Sequence, residues 1–597
     1  MKMRLKNIIT ASIIAMTLMS CSGKLQQADY RVIPLPKEIT ENTTESPFTL
    51  SKNVVIAYPK TQSELSKEAS FLSEYLNEIL GYSLKVEETD EVKNNAINLI
   101  INPSLFTEND AYKIIINQEN IKVIGSNTSS VFYAIQTLRK SLPFDAEGEK
   151  VSMPAGEIYD YPRFGHRGMM LDVSRHIFDL DSIKEFIDVM ALHNMNKFHL
   201  HITDDQGWRI EIKKYPELTK VGAWRSGTKI GKTETYDTIR HGGFYTQDEL
   251  RDLVKYAEER HITIIPEIDL PGHQLAALAT YPEFGCTGGP YEVWKQWGVS
   301  EDVICAGNED AMRFLEDVLA EVMDIFPSEY IHIGGDECPK TRWEQCPKCQ
   351  AKIKELGLKD DAHFTAENYL QSYVMTRMEK FVEDHGRKVI GWDEVLEGGL
   401  GPKVTVMSWR SVDGGREGAK QHHDVIMTPC SHLYFDYYQT DNTDDEPIAI
   451  GGYIPVSRVY EFEPIPSELT EEEAKHILGA QANLWVEYIK DMNTAFYRVL
   501  PRMDALTEVQ WVLPEQKDYE DFRERAYKMV QLYDLKGWNY AKHIFDIDVD
   551  IVPNVEAKCI DVTMSKFGEG DILYTLDGTD PLTNGTKYTE PLKLTES

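Results

Sequence analysis

The sequence predicts an α/β protein, in which a (β/α)8 barrel is preceded by a small α+β domain and followed by a short β-rich module. From about residue 160, eight short apolar runs alternate with helical stretches over roughly 350 residues, which is typical of that barrel. Before this segment, shorter strand-like and helical runs alternate. After it, the chain changes to short β runs separated by turn signals. The length of 597 residues accommodates two or three such domains.

Residues 1–21 have the pattern of a lipoprotein signal peptide. Three basic residues within the first six are followed by an apolar stretch over 8–19, which is too short to span a bilayer. Leu18-Met19-Ser20-Cys21 resembles a bacterial lipoprotein cleavage box, so Cys21 becomes the lipidated first residue. A plain secretory signal cleaved elsewhere is the alternative. We therefore expect an exported protein, in the periplasm or at the outer membrane, that contacts the membrane only through its lipid anchor.

The composition is that of an ordinary globular protein, with 42% hydrophobic and 27% charged residues. The formal net charge is −34, and the acidic residues are spread along the chain rather than gathered in a tail. This distribution argues for solubility and against nucleic-acid binding.

Residues 30–155 predict the small α+β domain. Apolar runs at 97–101, 112–116 and 121–124 predict strands, and helical periodicity predicts helices over 63–80 and 130–142. Because this domain contains no chemical motif, we expect it to act as a scaffold.

Residues 156–545 predict the barrel, and its closing helix is expected within 515–545. One connecting helix begins at a capping box formed by Thr246 and Glu249. A doubly wound open sheet is the alternative, but no glycine-rich phosphate loop follows the first strand. The eight predicted strands are 168–173, 197–203, 262–270, 330–337, 388–395, 404–410, 424–429 and 477–487. Residues 556–597 then predict a β-sandwich-like fragment.

Polar and aromatic residues recur where the predicted barrel strands end. In a (β/α)8 barrel the carboxyl ends of all strands open on one face, so we expect these side chains to form one pocket. They are Asp172, Arg175, Asp204, Asp205, Glu267, Asp269, His273, Asp336, Glu337, Trp392, Asp393, Trp409, Tyr434, Asp436, Trp485 and Glu487.

Eight cysteines are present, and Cys286 and Cys305 bracket a glycine-rich loop. These two are candidates for a disulfide, since export places a protein where disulfides persist. Cys346-x-x-Cys349, which follows Cys338, has the spacing of half a zinc site, but no second pair or nearby histidine pair completes four ligands. We favour a local disulfide or thiols packed in a loop, and we expect no metal and no cofactor.

The predicted pocket suits a carbohydrate. Trp392, Trp409 and Trp485 offer flat apolar faces to the CH groups of a sugar, and the carboxylates offer hydrogen bonds to its hydroxyls. The carboxylates of Asp336 and Glu337 are adjacent, whereas an ordinary nucleophile–acid pair needs about 5 Å between them. Glu337 alone could therefore transfer protons, while Asp336 holds a substrate group that is itself the nucleophile.

Four segments resemble the family 20 glycoside hydrolases, the β-N-acetylhexosaminidases, and the likeness extends over residues 30–545. This resemblance implies an exo-acting, retaining enzyme that removes terminal non-reducing β-linked GlcNAc or GalNAc from glycans. In this family the acetamido group of the substrate is the nucleophile, and an oxazolinium ion is the intermediate. The segments are Leu171-Asp-Val-Ser-Arg-His176, His199-Leu-His-Ile-Thr-Asp-Asp-Gln-Gly-Trp-Arg209, Pro266-Glu-Ile-Asp-Leu-Pro-Gly-His273 and His332-Ile-Gly-Gly-Asp-Glu337.

The resemblance also implies roles for individual residues. Glu337 would be the general acid and base, and Asp336 would orient the acetamido N–H and stabilise its positive charge. Asp204 and His273 would support Glu337. One departure is Ile450, which stands where some members carry a tryptophan that stacks on the leaving group. The implied substrate-binding residues are Arg175 for the 3- and 4-hydroxyls, Trp392, Trp409 and Trp485 for the acetamido pocket, Tyr434 for the acetamido carbonyl, and Asp436 and Glu487 for the 4- and 6-hydroxyls.

Two other functions compete with this interpretation. A metal-dependent barrel hydrolase would use His199 and His201, which share one face of a strand, together with His332. The alternative for these histidines is that they are buried and hydrogen-bonded. A non-catalytic glycan-binding lipoprotein would need the tryptophans and Arg175 but not two adjacent carboxylates.

Overall fold

The computed structural model describes residues 25–595 except 400, 402, 556 and 569, so the predicted signal peptide through Cys21 lies outside the described residues. Eight parallel strands close into a barrel, and the first strand pairs with both the second and the eighth. Each strand overlaps one of the eight predicted runs, and the predicted fold class is confirmed. The strands are β1 (His166–Asp172), β2 (Lys197–His201), β3 (Thr263–Glu267), β4 (Tyr330–His332), β5 (Lys388–Trp392), β6 (Thr405–Ser408), β7 (Val425–Met427) and β8 (Ile477–Leu484).

Helices surround the barrel and cover the outer faces of its strands. Every residue of β1 is buried, because one face of the strand meets the barrel interior and the other meets this helical layer. The predicted capping box is confirmed, since the side chains of Thr246 and Glu249 each accept a backbone N–H of the other. The helices of eight or more residues are Leu180–Leu192, Gln247–Glu258, Glu309–Ile325, Pro347–Leu356, Ala366–Asp384, Val412–Lys420, Met492–Val499, Arg502–Trp511 and Tyr519–Lys536.

The small domain before the barrel is built on a seven-stranded mixed sheet. Helices Ser66–Leu80 and Thr128–Ser141 pack beside it, close to the predicted bounds. The domain is tied to the barrel at Trp511, whose indole Nε1 donates to Asp160 at 3.0 Å. The strands, in spatial order, are Glu38–Glu41, Gly156–Asp160, Tyr112–Ile116, Ile121–Gly125, Ala96–Ile101, Val55–Tyr58 and Lys85–Glu88.

Beyond the barrel, Asp548–Asn554, Cys559–Ser565 and Leu592–Leu594 form a three-stranded antiparallel sheet. A second pair of short strands, Leu573–Tyr574 and Thr586–Lys587, lies within the same segment. The segment is therefore β-rich, as predicted. None of the described helices has the length and apolar character that a membrane crossing requires.

Candidate active site

One cavity of 240 Å³ opens at the carboxyl ends of the barrel strands. It brings together all seven residues predicted to bind substrate and both predicted acids, although they come from six separate strand ends. Tyr437 and Ile450 complete its wall. The lining residues are Arg175, Asp336, Glu337, Trp392, Trp409, Tyr434, Asp436, Tyr437, Ile450, Trp485 and Glu487.

The two adjacent acids lie on a loop and not on a strand, because β4 ends at His332 rather than at the predicted residue 337. The chain turns at Gly334 and Gly335, whose φ angles are +65° and +102°. A Cβ at residue 334 would lie 1.8 Å from Asp269 Oδ1, so only glycine allows the turn to pack against the loop after β3. Glu337 itself has a φ of +44°, an uncommon conformation for a residue with a side chain.

Asp336 is buried, whereas the side chain of Glu337 is 45% exposed. Asp336 lines the cavity, and its buried Oδ1 has no hydrogen-bond partner among the described residues. Burial raises the pKa of Asp336 above its ordinary value. Burial, followed by the neighbouring charge of Asp336, also raises the pKa of Glu337. A raised pKa suits a carboxyl group that must carry a proton before it donates it.

His273 links the two acids to Asp204 on the loop after β2. Its Nδ1 donates to Asp204 Oδ1 at 3.2 Å, and its Nε2 lies 3.7 Å from Asp336 Oδ2 and 3.8 Å from Glu337 Oε2. Burial lowers the pKa of His273, but Asp204 and Asp269 outweigh it and raise that pKa well above its ordinary value. The imidazolium therefore places a positive charge between the acids and Asp204.

Arg175 forms the other side of this charged group. Its Nη2 lies 2.8 Å from Asp204 Oδ2 and its Nη1 lies 3.2 Å from Asp172 Oδ2. Burial raises the pKa of Asp204, but Arg175 and His273 oppose it and hold that pKa below its ordinary value. Asp204 thus stays ionised and fixes both cations, and the Arg175 guanidinium also lies 4.9 Å from the ring of Trp485.

Glu267, at the end of β3, holds three histidines of the barrel interior. It accepts from His199 Nε2 at 2.9 Å, lies 3.1 Å from His332 Nδ1, and also binds His201. Its Oε1, which is also the oxygen close to His332, accepts from the indole of Trp392 at 2.8 Å. Glu267 and the three histidines are therefore fully buried and in contact with one another.

Sequence reasoning placed Glu267 and Asp269 at a strand end and assigned neither a role. Asp269 is buried, and its Oδ1 accepts the Gly335 N–H at 3.3 Å, which supports the loop that carries Asp336. Burial and the charge of Asp336 raise the pKa of Asp269 well above its ordinary value. The sequence pointed to these two residues only through their place where a predicted barrel strand ends, within the segment Pro266–His273.

Aromatic rings line the cavity. Trp392 and Trp485 lie with their ring centroids 6.0 Å apart, and Trp409 stacks on Tyr434 at 6.2 Å. Trp409 is held by its indole Nε1, which donates to Glu394 Oε2 at 2.9 Å. These rings form an apolar box beside Asp336.

The opposite wall is polar. Asp436 is buried, and its Oδ1 has no hydrogen-bond partner among the described residues. Burial and the nearby Glu487 raise the pKa of Asp436 well above its ordinary value. At the mouth of the cavity Ile450 is 44% exposed, so the position of the missing tryptophan is open to solvent.

The predicted disulfide between Cys286 and Cys305 is not formed, because both residues are free thiols. Cys286 Sγ lies 3.8 Å from Cys349 Sγ, and Cys305 Sγ lies 3.6 Å from Cys346 Sγ. The thiols of Cys286 and Cys305 therefore both lie against cysteines of a second segment rather than only against each other.

Comparison with known proteins agrees with this site. Residues 164–514 match the model of the glycosyl hydrolase family 20 catalytic domain, residues 29–161 match domain 2 of that family, and residues 561–597 match the Fn3-associated model. The chain is 41% identical over 598 residues to a β-hexosaminidase of Porphyromonas gingivalis, covering 98% of this chain and 74% of the relative.

Two solved structures have the same fold. The family 20 β-N-acetylhexosaminidase of Streptomyces coelicolor is 28% identical with a TM-score of 0.73, covering 86% of this chain and 97% of its own. The exo-β-N-acetylglucosaminidase of Vibrio harveyi, solved in complex with N-acetylglucosamine, is 30% identical with a TM-score of 0.75, covering 87% and 79%. The family 20 catalytic-domain model matches the whole barrel, and the relative that is 41% identical covers 98% of this chain. The chain therefore belongs to glycosyl hydrolase family 20.

Proposed function

We propose that this chain is an exo-acting β-N-acetylhexosaminidase that removes terminal β-linked N-acetylhexosamine by substrate-assisted catalysis. The observation that carries the proposal is the pairing of a buried Asp336, with one unpartnered oxygen, and a solvent-accessible Glu337 on the same turn. One carboxyl group is thus available to hold a substrate group and the other to exchange protons with the leaving group and with water.

In the first step, the carbonyl oxygen of the 2-acetamido group attacks the anomeric carbon, and the bond to the leaving oxygen breaks. Glu337 donates its proton to that oxygen, while Asp336 accepts the acetamido N–H and stabilises the positive charge that develops on the oxazolinium ion. In the second step, Glu337 takes a proton from water as the water oxygen attacks the anomeric carbon. The acetamido group is restored, and two inversions leave the configuration retained.

The remaining residues bind the terminal sugar. Trp392, Trp409 and Trp485 enclose the acetamido methyl group, and the Tyr434 hydroxyl donates to its carbonyl. Arg175 binds the 3- and 4-hydroxyls of the sugar, and Asp436 and Glu487 bind its 4- and 6-hydroxyls. The unpartnered Oδ1 of Asp436 supports this assignment, because a sugar hydroxyl would satisfy it.

The shape of the cavity supports exo action. The base of the cavity is the packed interior of the barrel, where Glu267 and its three histidines are fully buried. A glycan chain therefore has no path beyond the first sugar, and only a non-reducing end fits.

The test is hydrolysis of 4-nitrophenyl N-acetyl-β-D-glucosaminide beside the plain β-D-glucoside, with the anomer of the first product followed by NMR. Turnover of the acetamido sugar alone, with β product formed first, supports the proposal. Turnover of both sugars would indicate a nucleophile supplied by the protein, and turnover of neither, with binding retained, would favour a glycan-binding role.

We also propose that the chain is exported and anchored by lipid at Cys21, in the periplasm or at the outer membrane. The proposal rests on the basic, apolar and cleavage-box pattern of the first 21 residues. Labelling of a bacterial host with radioactive palmitate should mark the wild-type chain but not the Cys21→Ala variant. Equal labelling of both would refute the anchor.

A further inference from the structure

Four cysteines from two segments of the chain converge outside the lining of the active-site cavity. Cys286 and Cys305 lie between β3 and helix Glu309–Ile325, and Cys346 and Cys349 lie in the segment after β4. Their four sulfur atoms all lie within 4.8 Å of one another, and three of the four residues are buried.

Three of the six distances between the sulfur atoms match those of a tetrahedral metal site. Cys286 Sγ lies 3.8 Å from Cys349 Sγ, and Cys305 Sγ lies 3.6 Å from the sulfurs of both Cys346 and Cys349. A disulfide would bring two sulfurs to about 2.05 Å and leave the other pair unrelated. Four thiolates at about 2.3 Å from a tetrahedral Zn²⁺ lie about 3.8 Å from one another.

Close backbone packing brings the two loops together at the cluster. A Cβ on Gly307 would lie 2.2 Å from the carbonyl carbon of Lys348 and 2.5 Å from the nitrogen of Cys349, so only glycine permits this approach. The indole Nε1 of Trp343 donates to the carbonyl of Ile304 at 2.9 Å, one residue before Cys305. The four thiols are therefore brought near one another by this packing.

The local sequence also suits thiolate ligands. Cys346-Pro-Lys-Cys349 has the two-residue spacing found in structural zinc sites. Pro347 opens helix Pro347–Leu356, so both cysteines lie at its N-terminal end.

We propose that Cys286, Cys305, Cys346 and Cys349 bind one structural Zn²⁺ as four thiolates. The ion fastens the loop after β3, which carries His273, to the loop after β4, which carries Asp336 and Glu337. Four sulfur ligands leave no open position, so the ion takes no part in the hydrolysis. This replaces the expectation of no metal, which treated the two pairs of cysteines as separate.

The first test measures metal and thiols in the purified full chain after dialysis. We expect one zinc per chain by mass spectrometry. We also expect the seven cysteines in the described part of the chain to react with a thiol reagent after the protein is denatured in the presence of a chelator. Absence of zinc together with four unreactive cysteines would show two disulfides and overturn the proposal. Iron in place of zinc would overturn the identity of the ion.

Serine variants of single cysteines test which residues bind the zinc ion. Cys346→Ser and Cys349→Ser should lose zinc, whereas the matched controls Cys430→Ser and Cys559→Ser, which lie outside the cluster, should keep it. If the ligand variants do not fold, cobalt exchange into the wild-type chain decides the question. Tetrahedral thiolate ligation should then give intense sulfur-to-cobalt charge-transfer bands, and their absence would overturn the proposal.

The proposed fastening of the two loops by the ion is tested by removing zinc with a mercurial and a chelator. We expect a lower Tm and a slower aryl glycosidase reaction, both restored by zinc, because loss of the ion frees the loops that carry His273 and Glu337. A metal-free chain with unchanged Tm would contradict the claim that the ion fastens the two loops. Metal content, thiol count and Tm do not depend on turnover, so these results stand or fall separately from the proposed reaction.

Discussion

Asp336 and Glu337 are neighbours in the chain, yet their carboxyl groups occupy opposite environments. The side chain of Asp336 is 11% exposed, and that of Glu337 is 45% exposed. The positive φ of Glu337 turns the chain between them, so one group points into the protein and the other reaches solvent. This divergence separates the two proposed roles, because a group that exchanges protons with water must be reached by it.

Glu337→Gln should impair substrates with poor leaving groups most. The variant cannot donate a proton, and general acid catalysis contributes roughly 10²–10⁴-fold. We expect a loss of that size in kcat/KM for N-acetylglucosamine oligosaccharides and a smaller loss for aryl glycosides with acidic phenols. A series of aryl leaving groups measures the difference. An equal loss across the series would argue against the acid role of Glu337.

Asp336→Asn should slow every 2-acetamido substrate regardless of its leaving group. The amide cannot stabilise the positive charge of the oxazolinium ion, and the loss of such a stabilising group costs roughly 10²–10³-fold in kcat. Steady-state kinetics on the same aryl series tests this. Activity close to wild type would exclude substrate-assisted catalysis through Asp336.

The pH dependence should reflect the raised pKa of Glu337. The acid form is the active form, so kcat/KM should fall as pH rises through that pKa, which lies above the ordinary value of about 4.3. His273→Gln removes a cation whose Nε2 lies 3.8 Å from the carboxylate. Without that cation the charged form of Glu337 is less stable, so its pKa rises and the alkaline limb should move to higher pH.

The pH profiles of the two proteins on one aryl substrate provide the measurement. An alkaline limb that moves to lower pH in His273→Gln would mean that another group controls it. A limb that does not move would mean that His273 is neutral in the resting enzyme.

Glu267→Gln should destabilise the fold. Glu267 is fully buried and contacts His199, His201 and His332, and the loss of one partner from a buried ionic network costs roughly 3–5 kcal/mol. Urea unfolding of Glu344→Gln, an exposed position, should differ from wild type by less than about 0.5 kcal/mol. Equal stability of the two variants would show that the histidines do not depend on the carboxylate.

Much of the fold was readable from the sequence, because each barrel strand is a short apolar run and each run ends in polar or aromatic residues. The same rule found the cavity, since strand ends converge in any closed parallel barrel. The end of β4 was missed because Gly334 and Gly335 adopt left-handed conformations that an apolar pattern does not reveal. The cysteine cluster joins separate loops, and the contacts of Glu267 with three histidines join separate strands. No spacing within one segment could therefore predict either arrangement.

Ile450→Trp should improve the binding of longer substrates. Ile450 lies at the mouth of the cavity and is 44% exposed, so a larger ring there meets solvent rather than packed side chains. A tryptophan offers an apolar face to the CH groups of the second sugar, and burial of about 40 Å² of apolar surface there contributes about 1 kcal/mol, or a roughly fivefold lower KM. The gain should appear with N-acetylglucosamine oligosaccharides and not with an aryl glycoside of small leaving group. Ile450→Leu is the matched control, since it changes shape without adding a ring. Equal KM values for all three proteins on the oligosaccharides would mean that the second sugar does not pass over residue 450.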